Sequence, residues 1–337
     1  MPVWRIDTPG AMSLGETSVP VPGAGEVLLR VNRIGYCGSD LSTFKGLNPL
    51  AGYPRVPGHE IAATVEASGH GVSGNWKCGD AVTVVPYTAC GTCASCKRGR
   101  AYACRTNQTL GVQRDGALAP WIVVPESKLI ASGGLSPARL ALVEPLSVGY
   151  HAVRRGRFGA GDTVVVLGCG AIGLGAVLAA AHLGATVVAV DLEPAKLAQA
   201  RAFGAATTFV SGADLQEKFA ALCDGEGPDG IIEAVGRPET FRLAVEAVAF
   251  TGRVVYIGYA KAEVAYDTRR FVQKELDILG SRNAEREDFA AVLAMLSRAD
   301  FPVEAMITRE VPFAEAGEAL AAWSENPGSA CKIHILL

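Results

Sequence analysis

The stretch from Thr163 to Asp191 constrains this chain most. Thr163-Val-Val-Val-Leu167 is an apolar strand that runs into Gly168-Cys169-Gly170-Ala171-Ile172-Gly173, a G-x-G-x-x-G turn. A helix from Ala171 to Leu183 follows, then Gly184, then a second strand from Thr186 to Val190 that ends on Asp191. In such a unit the glycines permit a tight turn and close approach of a pyrophosphate, the helix N-terminus faces its negative charge, and the acid lies where ribose hydroxyls sit. A lone G-x-G-x-x-G could be a glycine-rich core turn; strand, turn, helix, strand and acid together predict a dinucleotide site at Gly168, Gly170, Ala171, Ile172, Gly173 and Asp191. Residues 163–190 are also the one nearly uncharged run, but glycines at 168, 170, 173, 175 and 184 break it, which argues against a membrane span.

The residues after Asp191 choose between cofactors. Leu192-Glu193-Pro194-Ala195-Lys196 puts no arginine beside the acid, which repels a 2′-phosphate and favours NAD over NADP. Lys196, one helical turn on, could reach the adenosine ribose or simply face solvent. The alternation then continues: helix 194–203, strand 207–210, helix 213–223, strand 230–236, helix 238–249, strand 253–258 and a closing strand 277–280. This order predicts an α/β fold with a doubly wound parallel sheet. Helix 287–298 and short strands to Leu337 are expected to finish the chain.

The first 145 residues read differently. Residues 25–36 alternate apolar and polar, a half-buried strand that delivers Cys37 at its end. Asp40 to Tyr53 reads as a short helix and loop, and Pro54 to Glu60 as a rigid turn into a strand over Ile61–Ala67. Further strands fall at 80–86 and 120–125, so this part is β-rich. Cys37, His59, Glu60 and the distant Glu144 are ligand types that zinc accepts. Ser39, two residues after Cys37, could bring its hydroxyl to a substrate oxygen at such a metal.

Cys90, Cys93, Cys96 and Cys104 follow the pattern Cys-x2-Cys-x2-Cys-x7-Cys. Four thiolates so spaced close on one tetrahedral zinc with no position left for substrate, so the role is to pin a loop. Free thiols or two disulfides fit the short, regular gaps poorly. A [4Fe–4S] cluster is the sharper rival, but its fourth cysteine normally follows after three residues and precedes proline. Here the gap is seven and Arg105 follows.

At 337 residues the chain suits two domains, and 49% hydrophobic with 19% charged residues fits a compact soluble protein. Net charge is −3 with no basic run, so nothing favours nucleic acid. An odd count of nine cysteines, and no apolar segment after Met1, point to metal binding and free thiols in the cytoplasm.

On Gly35-Tyr36-Cys37-Gly38-Ser39-Asp40, Gly58-His59-Glu60, the four-cysteine lobe, Glu144-Pro-Leu-Ser-Val148 and the dinucleotide turn, in that order, the chain resembles the zinc-dependent medium-chain alcohol dehydrogenases. The match covers nearly the whole chain. The Glu-Pro-Leu-Ser-Val run is similar to the polyol branch, which includes sorbitol, threonine, galactitol-phosphate and sugar-acid dehydrogenases. The resemblance implies a GroES-like catalytic domain over 1–147 with a structural-zinc lobe at about 88–106, a Rossmann domain over 148–285, and a return to the first domain over 286–337. It implies two zinc ions per chain. Cys37 and His59 would bind the catalytic zinc with either Glu60 or Glu144, the other acting through water, and Cys90, Cys93, Cys96 and Cys104 would bind the structural one. Asp40 would orient His59, Ser39 would pass the substrate's proton, and Arg282 would contact substrate. Relatives often carry a histidine five residues after the first cysteine; here Ser42 stands there, and the proton's exit falls to water or the ribose hydroxyls.

The activity this implies is NAD-dependent oxidation of a secondary alcohol in a small polyol, sugar or sugar acid, in a homodimer or homotetramer paired near Tyr256–Lys261. L-threonine 3-dehydrogenase or a general alcohol dehydrogenase is the alternative within the class. Zinc-free quinone or enoyl reductases share the fold but lack the ligands, and a zinc-knuckle nucleic-acid binder or an NAD-sensing regulator fits the acidic net charge and the open second metal site poorly. His70, His182 and His334 read as surface or core histidines, His151 as a packing residue, and Cys78, Cys169, Cys223 and Cys331 as small buried hydrophobes.

Overall fold

The computed structural model describes residues 1–73, 75–298 and 301–337. The chain forms two compact units: Met1–Glu144 with the segments from Phe289 and from Val303 to Leu337, and Pro145–Asp288.

The first unit is built on the strand Glu26–Tyr36. It pairs antiparallel with Glu60–Ser68, with Trp121–Pro125 and with the C-terminal strand Lys332–Leu336. A seven-stranded sheet results, with Ile307–Pro312 at one edge, lying parallel to the C-terminal strand, and Leu129–Ala131 at the other. An N-terminal hairpin, Pro2–Thr8 with Ala11–Glu16, stands apart from it. Alternation along the central strand sends Val27, Leu29, Val31 and Ile34 into a core shared with Ile61, Val65, Val82, Val124, Ile333 and Ile335. Burial of this apolar surface is the main stabilising term.

The chain end departs from the expected run of short strands. Ala316–Glu325 is a helix, and Ala316, Ala319, Leu320 and Trp323 recur on one face and are buried. That spacing of three, four and seven is the helical signature, obscured in the sequence by the small alanines that carry it. The helix packs so closely that a Cβ on Gly317 would lie 2.5 Å from the Trp4 ring.

The second unit is a six-stranded parallel sheet ordered Thr207–Val210, Thr186–Asp191, Thr163–Leu167, Gly230–Glu233, Arg253–Tyr256, Asp277–Gly280. Strand order reverses between Thr163–Leu167 and Gly230–Glu233, where open α/β sheets bind ligands. The central strands Thr163–Leu167, Thr186–Asp191, Gly230–Glu233 and Arg253–Tyr256 are largely buried and mostly apolar, as inner parallel strands must be, while the two edge strands are partly exposed. On that side the outer strand is Asp277–Gly280, which pairs with Arg253–Tyr256, so Tyr256 belongs to the second strand and the sheet edge is Asp277–Gly280. No helix among the described residues is long and apolar enough to cross a membrane.

Candidate active site

Two sites emerge in the first unit and one in the second. Strand Glu26–Tyr36 ends at Cys37, which opens the short helix Gly38–Phe44. The neighbouring strand starts at Glu60, opposite Gly35 in the register, so Cys37, His59 and Glu60 converge from two adjacent strand ends. Their ligating atoms all lie within 4.8 Å of one another. Asp40 joins the two ends: its carboxylate accepts the Cys37 amide at 2.9 Å and the Gly58 amide at 3.3 Å. The expected contact with the His59 ring is looser, Asp40 Oδ1 standing 3.9 Å from Nδ1.

Glu60 is wholly buried, and Lys332 supplies its counter-charge. Lys332 Nζ donates to Glu60 Oε1 and, at 3.2 Å, to the Tyr36 carbonyl. Burial raises the Glu60 pKa to about 7 against the attraction of Lys332. Burial disfavours a charged His59, yet Asp40, Cys37 and Glu144 together hold its pKa well above the ordinary value. Glu60 Oε2 lies so close to the backbone of its cross-strand neighbour that a Cβ on Gly35 would come within 2.1 Å of it, so only glycine fits there. Glu144, in the first turn of helix Val143–Gly156, stands outside the cluster of three and accepts a hydrogen bond from the buried Tyr87 hydroxyl.

This donor set fits a metal ion. Thiolate, imidazole and carboxylate meet at one point, and Glu60 Oε2, His59 Nδ1 and the neighbouring Ser39 Oγ are buried with no hydrogen-bond partner. Buried polar atoms left in this way cost free energy unless something satisfies them.

None of the nine cysteines forms a disulfide. In the lobe, Cys93 and Cys96 Sγ are 3.5 Å apart, Cys90 and Cys104 3.6 Å, Cys93 and Cys104 3.9 Å. Four sulfurs about 2.3 Å from a tetrahedral zinc stand about 3.8 Å apart, so the lobe fits that ion. Hydrogen bonds from Thr92 lower the Cys90 pKa to about 6 and those from Ser95 lower the Cys93 pKa to about 5, which prepares both as thiolates.

In the second unit the glycine-rich turn follows strand Thr163–Leu167. A Cβ on Gly173 would sit 1.8 Å from the Gly168 carbonyl, so helix and turn meet at van der Waals contact. No side chain caps helix Ala171–His182, and the first-turn amides after Gly170 are left for an anion. A cavity of about 350 Å³ opens at the start of the turn and the end of strand Thr186–Asp191, lined among others by Gly168, Asp191, Lys196, Ser211, Arg237 and Thr240. Asp191 also braces the turn: Oδ2 accepts the Cys169 amide at 2.7 Å, Oδ1 the Glu193 amide at 3.0 Å, and Lys196 Nζ lies 3.9 Å from Oδ1. Turn, helix N-terminus and cavity fit a dinucleotide. Arg282 is half-buried in this unit, after strand Asp277–Gly280.

Sequence reasoning missed Tyr87, Lys332 and Glu233. Glu233 ends the strand Gly230–Glu233, and its Oε1 accepts from Val235 N, Gly236 N and Thr240 Oγ1 at 2.7–2.9 Å, holding the turn that lines the cavity. An acid closing an otherwise apolar strand was the available signal for Glu233; Lys332 and Tyr87 carry none.

Comparison with known proteins agrees with both units. The alcohol dehydrogenase GroES-like domain matches residues 23–133, and the zinc-binding dehydrogenase domain matches residues 171–298. The chain is 34% identical to L-galactonate-5-dehydrogenase of Escherichia coli K12, over 94% of each protein. It is 30% identical to a sorbitol dehydrogenase of Halalkalibacterium halodurans, over 91% of this chain and 90% of that one. An Escherichia coli CFT073 alcohol dehydrogenase solved with NADH superposes with a TM-score of 0.92 at 29% identity, covering 100% of this chain and 99% of the other.

Proposed function

Because the chain belongs to the zinc-binding, medium-chain alcohol dehydrogenase family, we propose that it oxidises a secondary alcohol of a small polyol, sugar or sugar acid to the ketone, with NAD as acceptor. The observation that carries this reading is the convergence of Cys37, His59 and Glu60, with Glu60 Oε2, His59 Nδ1 and the hydroxyl of Ser39, two residues after Cys37, buried without a hydrogen-bond partner. Residues 1–147 and 286–337 form the catalytic domain, and 148–285 the cofactor domain, of a cytoplasmic enzyme.

Zinc would supply a Lewis acid that brings the alcohol's pKa toward neutral, and the nicotinamide would supply the hydride acceptor. The chain's own residues do the rest. Cys37, His59 and Glu60 hold the metal, and geometry favours Glu60 over Glu144 as the third ligand because Glu144 lies outside the cluster. Lys332 balances the charge of Glu60. Ser39 takes the alcohol proton at Oγ and hands it outward. Glu144, kept in place by Tyr87, faces the same space as a second carboxylate. Cys90, Cys93, Cys96 and Cys104 hold a structural zinc. In the cofactor domain, Gly168, Gly170, Ala171, Ile172 and Gly173 cradle the pyrophosphate, and Asp191 disfavours a 2′-phosphate.

The substrate reading draws on the galactonate and sorbitol dehydrogenases to which the chain is similar. The edge strand Asp277–Gly280, with Ile278 exposed on it and Val272 exposed on the preceding helix Arg269–Gln273, supports a homodimer or a tetramer built from it. The test is NADH formation from aldonates, polyols, sugar phosphates, L-threonine and simple alcohols, with NAD and with NADP, before and after chelation. Chelator-sensitive, NAD-dependent turnover of a sugar-type substrate is expected. Full activity in metal-free protein sinks the mechanism.

A further inference from the structure

Tyr87 stands between the two metal-binding clusters of the first unit, and it takes no chemical step in the activity described above. Its hydroxyl donates to Glu144 Oε1 inside the core. Its ring packs edge-on against Phe289, with centroids 6.4 Å apart at 76°. Lys128 Nζ donates to its carbonyl. Its two-residue strand, Tyr87–Thr88, pairs with Gln108–Thr109, so the four-cysteine lobe from Cys90 to Cys104 is the loop between these two strands. At the lobe's base the Cys90 amide donates to Cys104 Sγ at 3.3 Å. One short strand therefore carries the lobe at one end and a buried hydroxyl on Glu144 at the other.

We propose that Tyr87 is a positioning residue for Glu144 and that through it the four-cysteine lobe sets the geometry of the catalytic cluster. The physical basis is the number of ways Glu144 can point. A carboxylate has two equivalent oxygens and three rotatable side-chain bonds. A hydrogen bond from a wholly buried, ring-packed phenol selects one orientation and keeps Glu144 out of the Cys37, His59 and Glu60 group. Partners that orient groups around a metal commonly change its affinity or activity about 10- to 100-fold when removed. The lobe's part is mechanical: with its metal bound it closes the loop between Tyr87 and Thr109, and the register that aims the Tyr87 ring follows.

The inference rests on the catalytic-zinc reading, and the experiment separates the two. Cobalt is placed in the Cys37, His59 and Glu60 site, and its visible spectrum and release to a chelator are recorded for wild type, Tyr87→Phe and Lys128→Met. If no cobalt band from that site appears in wild type, the catalytic-metal reading itself fails. If the band appears, Tyr87→Phe is expected to shift it, to speed metal release about tenfold or more and to lower kcat more than it raises KM, with lobe zinc retained. Lys128→Met, which removes the donor to the Tyr87 carbonyl, is expected to shift the band in the same direction by less. Removing the lobe metal through Cys96→Ser should shift the band in wild type and add little to Tyr87→Phe, as two changes on one path do. Spectra and release rates unchanged in Tyr87→Phe overturn the proposal. If Cys96→Ser fails to fold, the Lys128→Met comparison decides the coupling, and an unchanged spectrum there overturns it.

Discussion

Ser39 and Lys332 divide the work that is proposed for the cluster of Cys37, His59 and Glu60. Ser39 Oγ is buried with no protein partner, as a hydroxyl reserved for a substrate oxygen would be. Ser39→Ala is expected to lower kcat about 100-fold or more while zinc content and NADH affinity stay unchanged, because proton transfer by a positioned group contributes roughly 10²–10⁴. Metal analysis and NADH fluorescence check that separation; an unchanged kcat removes Ser39 from the proton path. Lys332 acts on stability as well. It and Glu60 are both buried and face each other, so Lys332→Met leaves a carboxylate without its counter-charge. The expected cost is about 3–5 kcal/mol in urea unfolding, since breaking a buried pair from one side is far worse than never having it. A loss below about 1 kcal/mol would show Glu60 neutral in the folded chain.

The element whose behaviour is most sensitive to acid is the C-terminal strand Lys332–Leu336. His334 is wholly buried in it, with Nδ1 3.3 Å from Arg33 Nη1, while Arg33 also pairs with Glu310 on the adjacent strand. Burial, with Arg33 and Lys332 nearby, lowers the His334 pKa to about 3. In the unfolded chain it returns to about 6.5. The folded state therefore binds fewer protons between these values, and stability falls as pH drops below about 6.5 and continues to fall toward 3. Chemical unfolding from pH 7 to 4 should show a slope approaching 1.4 kcal/mol per pH unit from this residue, at about one proton. His334→Leu should flatten the curve by that amount; an unaltered slope would refute the assignment. The same strand was read from the sequence only as a short strand near the end. Its four-residue link to the sheet, through Tyr36, Gly35, Ile34 and Arg33, pairs positions about 300 residues apart, which no local pattern announces.

At the scale of the whole molecule, the prediction concerns the count and kind of metal. Two zincs per chain are expected by native mass measurement, and chelation should expose the lobe thiols to a thiol reagent in step with the loss of one of them. Iron, or colour that bleaches with oxygen, would instead restore the iron–sulfur reading of the lobe. Much of this organisation was legible in the sequence because it is written in short spacings. The gaps between Cys90, Cys93, Cys96 and Cys104 nearly close a tetrahedron by themselves, and strand, glycine turn and helix in the run from Thr163 to Asp191 are adjacent in the chain. Apolar runs alternating with helices likewise announced the parallel sheet, whose strands lie where that order placed them, within a few residues at the ends. The helix Ala316–Glu325 escaped because alanines carry its buried face and alanine is common everywhere.

The sequence by itself determined the ligand types, the dinucleotide turn and the order of strands and helices, because each depends on residues within one turn, one strand or one unit. Only the tertiary structure decided that Glu60 joins Cys37 and His59 while Glu144 stands aside on Tyr87, that Lys332 neutralises Glu60, that Asp40 binds two backbone amides ahead of the His59 ring, and that the sheet ends at Asp277–Gly280. The physical reason is the same in each case. These contacts join residues brought together by strand pairing and core burial, and a side chain's hydrogen-bond partner is set by the space around it after folding, which spacing along the chain does not encode.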